Sequence, residues 1–358
     1  MDFAAALALC GALVPAQQTL VVPSSANAAD ANHAFFIAGV AEPRHQLTIV
    51  DGGLLLPMQN HTITGLAFRR DAANEAFAGG DASLTVRISH STRTAENASP
   101  MFAANHGPDV ATAFQGSVTL PASPASGPPT WTTENVVSIQ FQVPFAYSTG
   151  PIAIEISGTP SATNPATWWP ADAVWQPNTG GSSVHGSGSG SFGGPTGRWS
   201  FVADANIGPG STVSFEAIGA PGEIAIWAIA SGVAVPPLDL EPFGGVPGTR
   251  FHLQPPLDSQ FLLFGPPINS ARPSHGSMVR VTANIPTHPS FLGASLASQW
   301  LKLDGNSNLA ASNANVWTIA AQPPGLGMAL VTAADVGGVP VTGKVIQACG
   351  HVFRFEFQ

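Results

Sequence analysis

Charge is what this chain has least of. Asp, Glu, Lys and Arg make up 9% of its 358 residues, against about 25% in an ordinary soluble domain. Two lysines (Lys302 and Lys344) and ten arginines face 21 acids, for a net charge of −9. So few bases exclude the counterion-release route by which proteins grip phosphate backbones, and nucleic acid is not an expected partner. Cysteine is nearly missing too, with only Cys10 and Cys349 present. If Cys10 leaves with an N-terminal signal, no internal disulfide is possible, and Cys349 reads as a small core residue rather than a nucleophile. After the N-terminal segment no apolar run reaches the roughly 18 residues of a membrane span. Nor does any long segment carry a 3.6-residue apolar stripe, which argues against a helical protein.

Turn chemistry is abundant instead: 38 glycines and 33 prolines, about a fifth of the chain. The 44% hydrophobic content is enough to fill cores, and the length exceeds the size at which single cores stop growing, so two domains are expected. Residues 3–15 form an apolar run too short to cross a bilayer, followed by Val14-Pro15-Ala16. Small residues at the positions read by signal peptidase predict a secretory signal over 1–16, although Met1-Asp2 replaces the usual basic start.

Period-two alternation recurs along the rest of the chain, the mark of strands with one buried face. Leu84, Val86 and Ile88 alternate with Thr85, Arg87 and Ser89; Val137, Ile139, Phe141 and Val143 with Ser138, Gln140 and Gln142. Ile152, Ile154 and Ile156, Val213 and Phe215, and Phe353, Phe355 and Phe357 repeat the pattern. Many short strands without intervening helices predict an all-β protein with two antiparallel β-sandwich or jelly-roll domains in tandem. The turn-rich Ala205-Asn206-Ile207-Gly208-Pro209-Gly210 places the boundary, giving domains 17–206 and 207–358. The Gly/Ser tract 180–194 is read as closing a hairpin inside the first domain, with a linker as the alternative.

Gly208-Pro209-Gly210-Ser211-Thr212, Val235-Pro236-Pro237-Leu238-Asp239-Leu240, Gly245-Val246-Pro247-Gly248, Ala297-Ser298-Gln299-Trp300 and Ser312-Asn313 resemble a β-rich C-terminal module of secreted proteins from planctomycete-type bacteria. Val22 to Asp30 and Ile63 to Asp71 are similar to the domain that often precedes it. The resemblance implies export and a structural or binding role, and attaches no activity. Where that module has a cysteine after Pro-Gly, this chain has Thr249.

No motif supports catalysis. The ten histidines lack metal-ligand spacing, and His33, His61, His90 and His351 read as edge or rim residues. Asp304-Gly305-Asn306-Ser307-Asn308 copies half a calcium loop, but Leu309 and Asn315 stand where its turn glycine and bidentate Glu belong, so a hairpin turn is favoured. No metal or cofactor is expected. The 183–191 tract lacks the Gly-x-Ser-x-Gly phase of a nucleophile elbow. Glu134, Glu155, Asp172, Asp204, Glu216 and Glu223 mostly read as outward-facing strand positions, although paired acids distant in the chain would escape such a reading. The strongest binding candidate is aromatic: Trp168, Trp169 and Trp175, with Gln176 and Asn178, offer indoles and amides suited to sugar faces. The competing reading buries Trp169 and Trp175 in a core. The expectation is therefore a secreted, non-catalytic surface or matrix protein acting by self-association or contact with cell-surface components. A carbohydrate-binding protein is the alternative, and a polysaccharide-active enzyme comes third.

Overall fold

The computed structural model describes residues 16–38, 43–72, 76–77, 79–122, 130–160, 169–176, 180–190, 200–202, 207–218, 224–254, 261–264, 269–272, 276–303, 307–321, 325–333 and 340–358. The expected signal segment lies outside them. The first nine strands are β1 (Gln18–Val22), β2 (His33–Phe36), β3 (Arg44–Val50), β4 (His61–Arg69), β5 (Gly80–His90), β6 (Ala111–Leu120), β7 (Val136–Tyr147), β8 (Ile152–Pro160) and β9 (Pro170–Trp175). Eleven follow: β10 (Gly181–His185), β11 (Ser200–Val202), β12 (Thr212–Ile218), β13 (Ile224–Ala230), β14 (Val233–Asp239), β15 (Arg250–Leu253), β16 (Phe261–Phe264), β17 (Asn269–Arg272), β18 (Gly276–Asn284), β19 (Ser295–Leu303) and β20 (Leu309–Thr318). The chain closes with β21 (Met328–Ala333), β22 (Lys344–Gln347), β23 (Cys349–His351) and β24 (Phe353–Phe357).

These strands form two antiparallel sandwiches. In the first, the sheet β1-β24-β4-β7 faces the sheet β22-β21-β3-β8-β5-β6, with β2-β9-β23 as a smaller third sheet. Alternation fills the space between: Ile63, Leu66, Phe68, Ile139, Phe353 and Phe355 from one side meet Val50, Leu84, Val86, Ile88, Ile152 and Ile154 from the other. In the second, β10-β20-β19-β13-β16 faces β11-β12-β18-β17 around Trp227, Trp300, Trp317 and Phe215. The Phe215 ring lies 4.5 Å from Trp227 and 5.0 Å from Trp317, spacings at which aromatic pairs add to the gain from burial.

The all-β sandwich class matches the expectation, but strand pairing does not follow a division at residue 206. β21 pairs with β3, β23 with β9, and β24 with β4 and β1, while β22 extends the same sheet beside β21, so the last strands complete the first sandwich. β10 and β11 pair with β20 and β12 in the second. The second lobe is therefore inserted between β9 and β21. The Gly/Ser tract does not close a hairpin in the first lobe: its β10 is an edge strand of the second. Ser189 fastens the tract further, with its N–H donating to Ala311 O at 2.8 Å and its Oγ 2.8 Å from Thr249 Oγ1. Gly210, in the expected boundary, packs against the first lobe, where Gln347 Nε2 donates to Gly210 O and Glu96 O at 3.3 Å.

Two local readings change. Val143 is 52% exposed, because β7 bulges between Gln140, opposite Gly65, and Phe145, opposite Ile63. Phe145 and Tyr147 take up the buried phase beyond it. The acids Glu155, Asp172 and Glu216 are buried rather than outward-facing. The outer face of β3, β8 and β21 is covered by Ala95, Ala98 and Phe102, so Glu155 points into a covered face and pairs with Arg87 at 3.0 Å. Glu216 pairs with Arg280 and Asp172 with Arg69. Glu134 is exposed, while Asp204 and Glu223 lie outside the described residues. Residues 304–306 of the half calcium loop also lie outside them, but β19 and β20 form the expected hairpin, with Leu303 opposite Leu309.

Candidate functional site

Of the predicted binding residues, Trp169 belongs to the first core at 3% exposure, which removes it from any sugar-stacking face. Trp168 and Asn178 lie outside the described residues. Trp175 and Gln176, at the end of β9, border an open cleft of about 600 Å³. Its other wall is the segment after β1, including Ser24, Ser25, Asp30 and Asn32, with Leu54 and Leu326 at its apolar side. Asn32 holds the two walls together: its Nδ2 donates to Trp175 O at 2.6 Å, and its Oδ1 accepts from Trp175 N–H at 2.9 Å. The Trp175 ring is half-buried and tilts against His33 at 5.6 Å. Gln176 is exposed, its backbone N–H donating to Ala348 O at 2.8 Å.

At the edge of this cleft the fold gathers three carboxylates, on Asp30, Asp71 and Asp172, whose oxygens lie within 4.8 Å of one another. They come from the loop before β2, the end of β4 and the middle of β9. Backbone bonds bring them together: Asp71 N–H donates to Pro170 O at 2.9 Å, and Ala72 N–H to Asp30 Oδ1 at 3.3 Å. Asp172 is fully buried and accepts from Arg69 Nε at 3.1 Å, from Arg69 Nη2 and from Ala31 N–H at 3.2 Å. Arg69 Nη2 also donates to Ala29 O at 2.7 Å, so this ion pair anchors the cleft wall. Its guanidinium shares the Trp131 ring with Arg354, at 5.1 and 4.8 Å.

Crowding three acids beside two arginines changes their proton affinity. Burial, then the charges of Asp30 and Asp172, push Asp71 up to about 7 against the pull of Arg70 and Arg69. Burial lifts Asp172 to about 6 even though Arg69 opposes it, which leaves it ionised and paired at neutral pH. Asp71 is thus poised to hold or release a proton near neutrality. The three oxygens are also the donor type that a hard divalent cation takes, although Arg69 already occupies Asp172.

Of the four histidines read as edge or rim residues, His33, His61 and His90 are partly exposed, as that reading expects, and His351 departs from it. His351 is fully buried among Phe35, Phe68 and Phe353, its Nε2 2.9 Å from Gln46 Oε1, and burial together with Arg44 lowers it to about 3. Cys349 is buried and pushed up to about 12, which suits a core residue and disfavours a thiolate.

A different surface stands on the second lobe. Among the described residues, β14 pairs only with β15 in a two-stranded ribbon. Along it and the turn that follows, Val235, Leu238 and Phe243 are 85%, 51% and 71% exposed.

Comparison of the chain with protein-family models, with curated proteins and with solved structures finds no match.

Sequence reasoning reached Trp175 and Gln176 because a Trp/Pro/Asn-rich stretch is legible locally. The carboxylate cluster was missed, since its members lie 41 and 101 residues apart and only the pairing of β2 with β9, and the bridge of Arg70 to Ala171, brings them together. The Asp71 that follows Arg69-Arg70 was its one local signal.

Proposed function

We propose that the protein is an exported surface or matrix component that works by contact, associating with further copies of itself through the β14–β15 ribbon. The observation that carries this reading is the exposure of Val235, Leu238 and Phe243 on one short segment, since apolar groups gathered on a soluble surface favour burial against a partner. Pro236 and Pro237 cannot donate ladder hydrogen bonds, so the contact is made by side chains rather than by strand addition. A surface with so little charge does little to oppose the approach of a second copy. Sedimentation velocity over a concentration series tests it. The intact chain is expected to associate, and Phe243→Asp with Val235→Asp to stay monomeric with an unchanged melt; a monomeric wild type at high micromolar concentration rejects the reading.

A second reading is favoured by the cleft. Trp175, Asn32, Gln176 and Asp30 combine an apolar ring with amide and carboxylate groups, the pairing that polyhydroxylated ligands use. Because cleft and ribbon lie on different lobes, Trp175→Ala separates the two readings: it abolishes retardation of the protein in polysaccharide-containing gels and leaves self-association intact.

A further inference from the structure

β7 and β8 belong to opposite sheets of the first lobe, and the chain crosses between them through Ser148, Thr149, Gly150 and Pro151. At this crossover three polar side chains from separate segments form a hydrogen-bonded line. Asp109 Oδ2 lies 2.6 Å from His90 Nδ1, and His90 Nε2 lies 3.0 Å from Ser148 Oγ. Asp109 Oδ2 also accepts from the His90 backbone N–H at 3.3 Å, which fixes the carboxylate beside the ring. Tyr147 stacks on the imidazole at 5.7 Å and 18°, and Phe145 lies 5.2 Å away. The Tyr147 hydroxyl donates to Gly150 O at 2.8 Å, tying the wall behind the ring to the turn that carries the serine.

Two contacts define the tautomer. An ionised carboxylate can only accept, so the Nδ1 proton points to Asp109. A backbone N–H can only donate, and that of Ser148 reaches Nε2 at 3.2 Å, so Nε2 carries the lone pair. The Ser148 hydroxyl is then a donor to a base, the arrangement that activates a serine nucleophile. Burial raises the Asp109 carboxyl, but its bonds to His90 outweigh that and hold it below its ordinary value, so it stays ionised.

Access separates this line from a buried look-alike beside it. Ser89 Oγ lies 2.8 Å from His106 Nδ1, and His106 Nε2 lies 2.8 Å from Glu155 Oε2. Ser89 is fully buried, however, and its Oγ accepts from Gly107 N–H at 3.3 Å. Ser148 is exposed, and a Cβ placed on Gly150, at φ +87°, would meet no heavy atom within 4 Å. Among the described residues, the N–H groups of Thr149 and Gly150 donate no hydrogen bond, leaving two donors next to the nucleophile for a developing oxyanion.

We propose that Ser148 and His90, positioned by Asp109, form an acyl-transfer site that hydrolyses esters of short acyl groups. Ser148 Oγ bonds to the ester carbonyl carbon while His90 Nε2 takes its proton, and the carbonyl electron pair moves to oxygen. Collapse of that tetrahedral species breaks the bond to the alcohol oxygen, which leaves with the proton from His90. Water then attacks the acyl-serine, giving one proton to His90; the acid departs, and Ser148 regains its proton. Ester and water become acid and alcohol, with no other reactant. The open space at Gly150 leaves room for a bulky alcohol portion, so the substrate class proposed is a small acyl group on a polymer hydroxyl.

The test is covalent labelling of the full chain with diisopropyl fluorophosphate, located by peptide mapping, beside turnover of p-nitrophenyl acetate. The expected results are one label on Ser148, loss of label and turnover in Ser148→Ala with an unchanged melt, and a fall in labelling rate on the order of 100-fold in Asp109→Asn that Asp109→Glu partly restores. His90→Gln, which keeps a polar planar side chain against Tyr147, is expected to match Ser148→Ala, and Ser89→Ala to label like the wild type. An unlabelled wild type, a label on another residue, or a rate indifferent to Asp109→Asn overturns the proposal.

Discussion

Asp71 follows Arg69-Arg70 in sequence, yet burial and nearby acids rather than those arginines set its proton affinity. Its carboxyl is raised from 3.8 to about 7 by burial and by Asp30 and Asp172. A group whose folded value lies above its unfolded value favours the native state fully below the unfolded value, and that contribution is lost as pH rises through the folded one. Wild-type stability should therefore fall between about pH 4 and pH 7, and Asp172, lifted to about 6, adds a change of the same sign. Asp71→Asn stays neutral throughout. Thermal melts of the two proteins are expected to coincide near pH 4 and to separate by pH 8 with the variant the more stable; a variant less stable at pH 8 contradicts the electrostatics. Period-two patterning told which side of a strand Glu155 and Glu216 occupy, but it does not tell whether that side is wet. The covering residues Ala95, Ala98 and Phe102 are distant in the chain, so the burial of Glu155 was not legible. The same holds for Ser148, His90 and Asp109: they lie in no motif, and only the crossover from β7 to β8 brings the serine to the histidine.

At the scale of elements, the Gly/Ser tract shows how composition can mislead. Gly180 to Gly194 has the chemistry of a linker or hairpin loop, yet residues 181–185 form a paired edge strand and the tract continues against Thr249 and Ala311. Gly186 explains one of the glycines. Its φ is +72°, and an added Cβ would lie 2.2 Å from the His252 ring, which is itself buried. Gly186→Ala thus meets both a disfavoured backbone and a clash, each of which destabilises. A loss of roughly 1–3 kcal/mol is expected for the second lobe, read as an earlier unfolding transition in denaturant while the first lobe's transition stays in place. A free linker would tolerate the change. The strands were legible wherever one face alone is buried, as in Leu84, Val86 and Ile88 or the closing Phe353, Phe355 and Phe357. Their partners were not, because alternation fixes the face of a strand without naming the strand beside it.

On the scale of the whole molecule, the final 31 residues decide the architecture. Composition and length supported two cores, and two cores exist, but a linear reading assigns β21 to β24 to the second because they follow it. The pairing places Phe353, Phe355 and Phe357 in the first core and sets β24 between β1 and β4. A chain of residues 207–358 would therefore lack β10 and β11 and carry β21, β23 and β24 without the first-lobe strands they bond in the full protein, with β22 held by β21 alone. Unpaired strands of that kind expose backbone donors and apolar faces together, which leads to aggregation rather than folding. A chain of residues 177–324 keeps both sheets of the second lobe and its tryptophan core. The expected outcome is that 177–324 is soluble and melts cooperatively with buried-tryptophan fluorescence, whereas 207–358 does not. Residues 16–176 joined by a short flexible link to 325–358 should fold as the complementary lobe, because the excised segment leaves and re-enters at its edge. If 207–358 folds cooperatively and 177–324 fails, the closing strands are dispensable to the first core, and the inserted arrangement of the lobes is refuted.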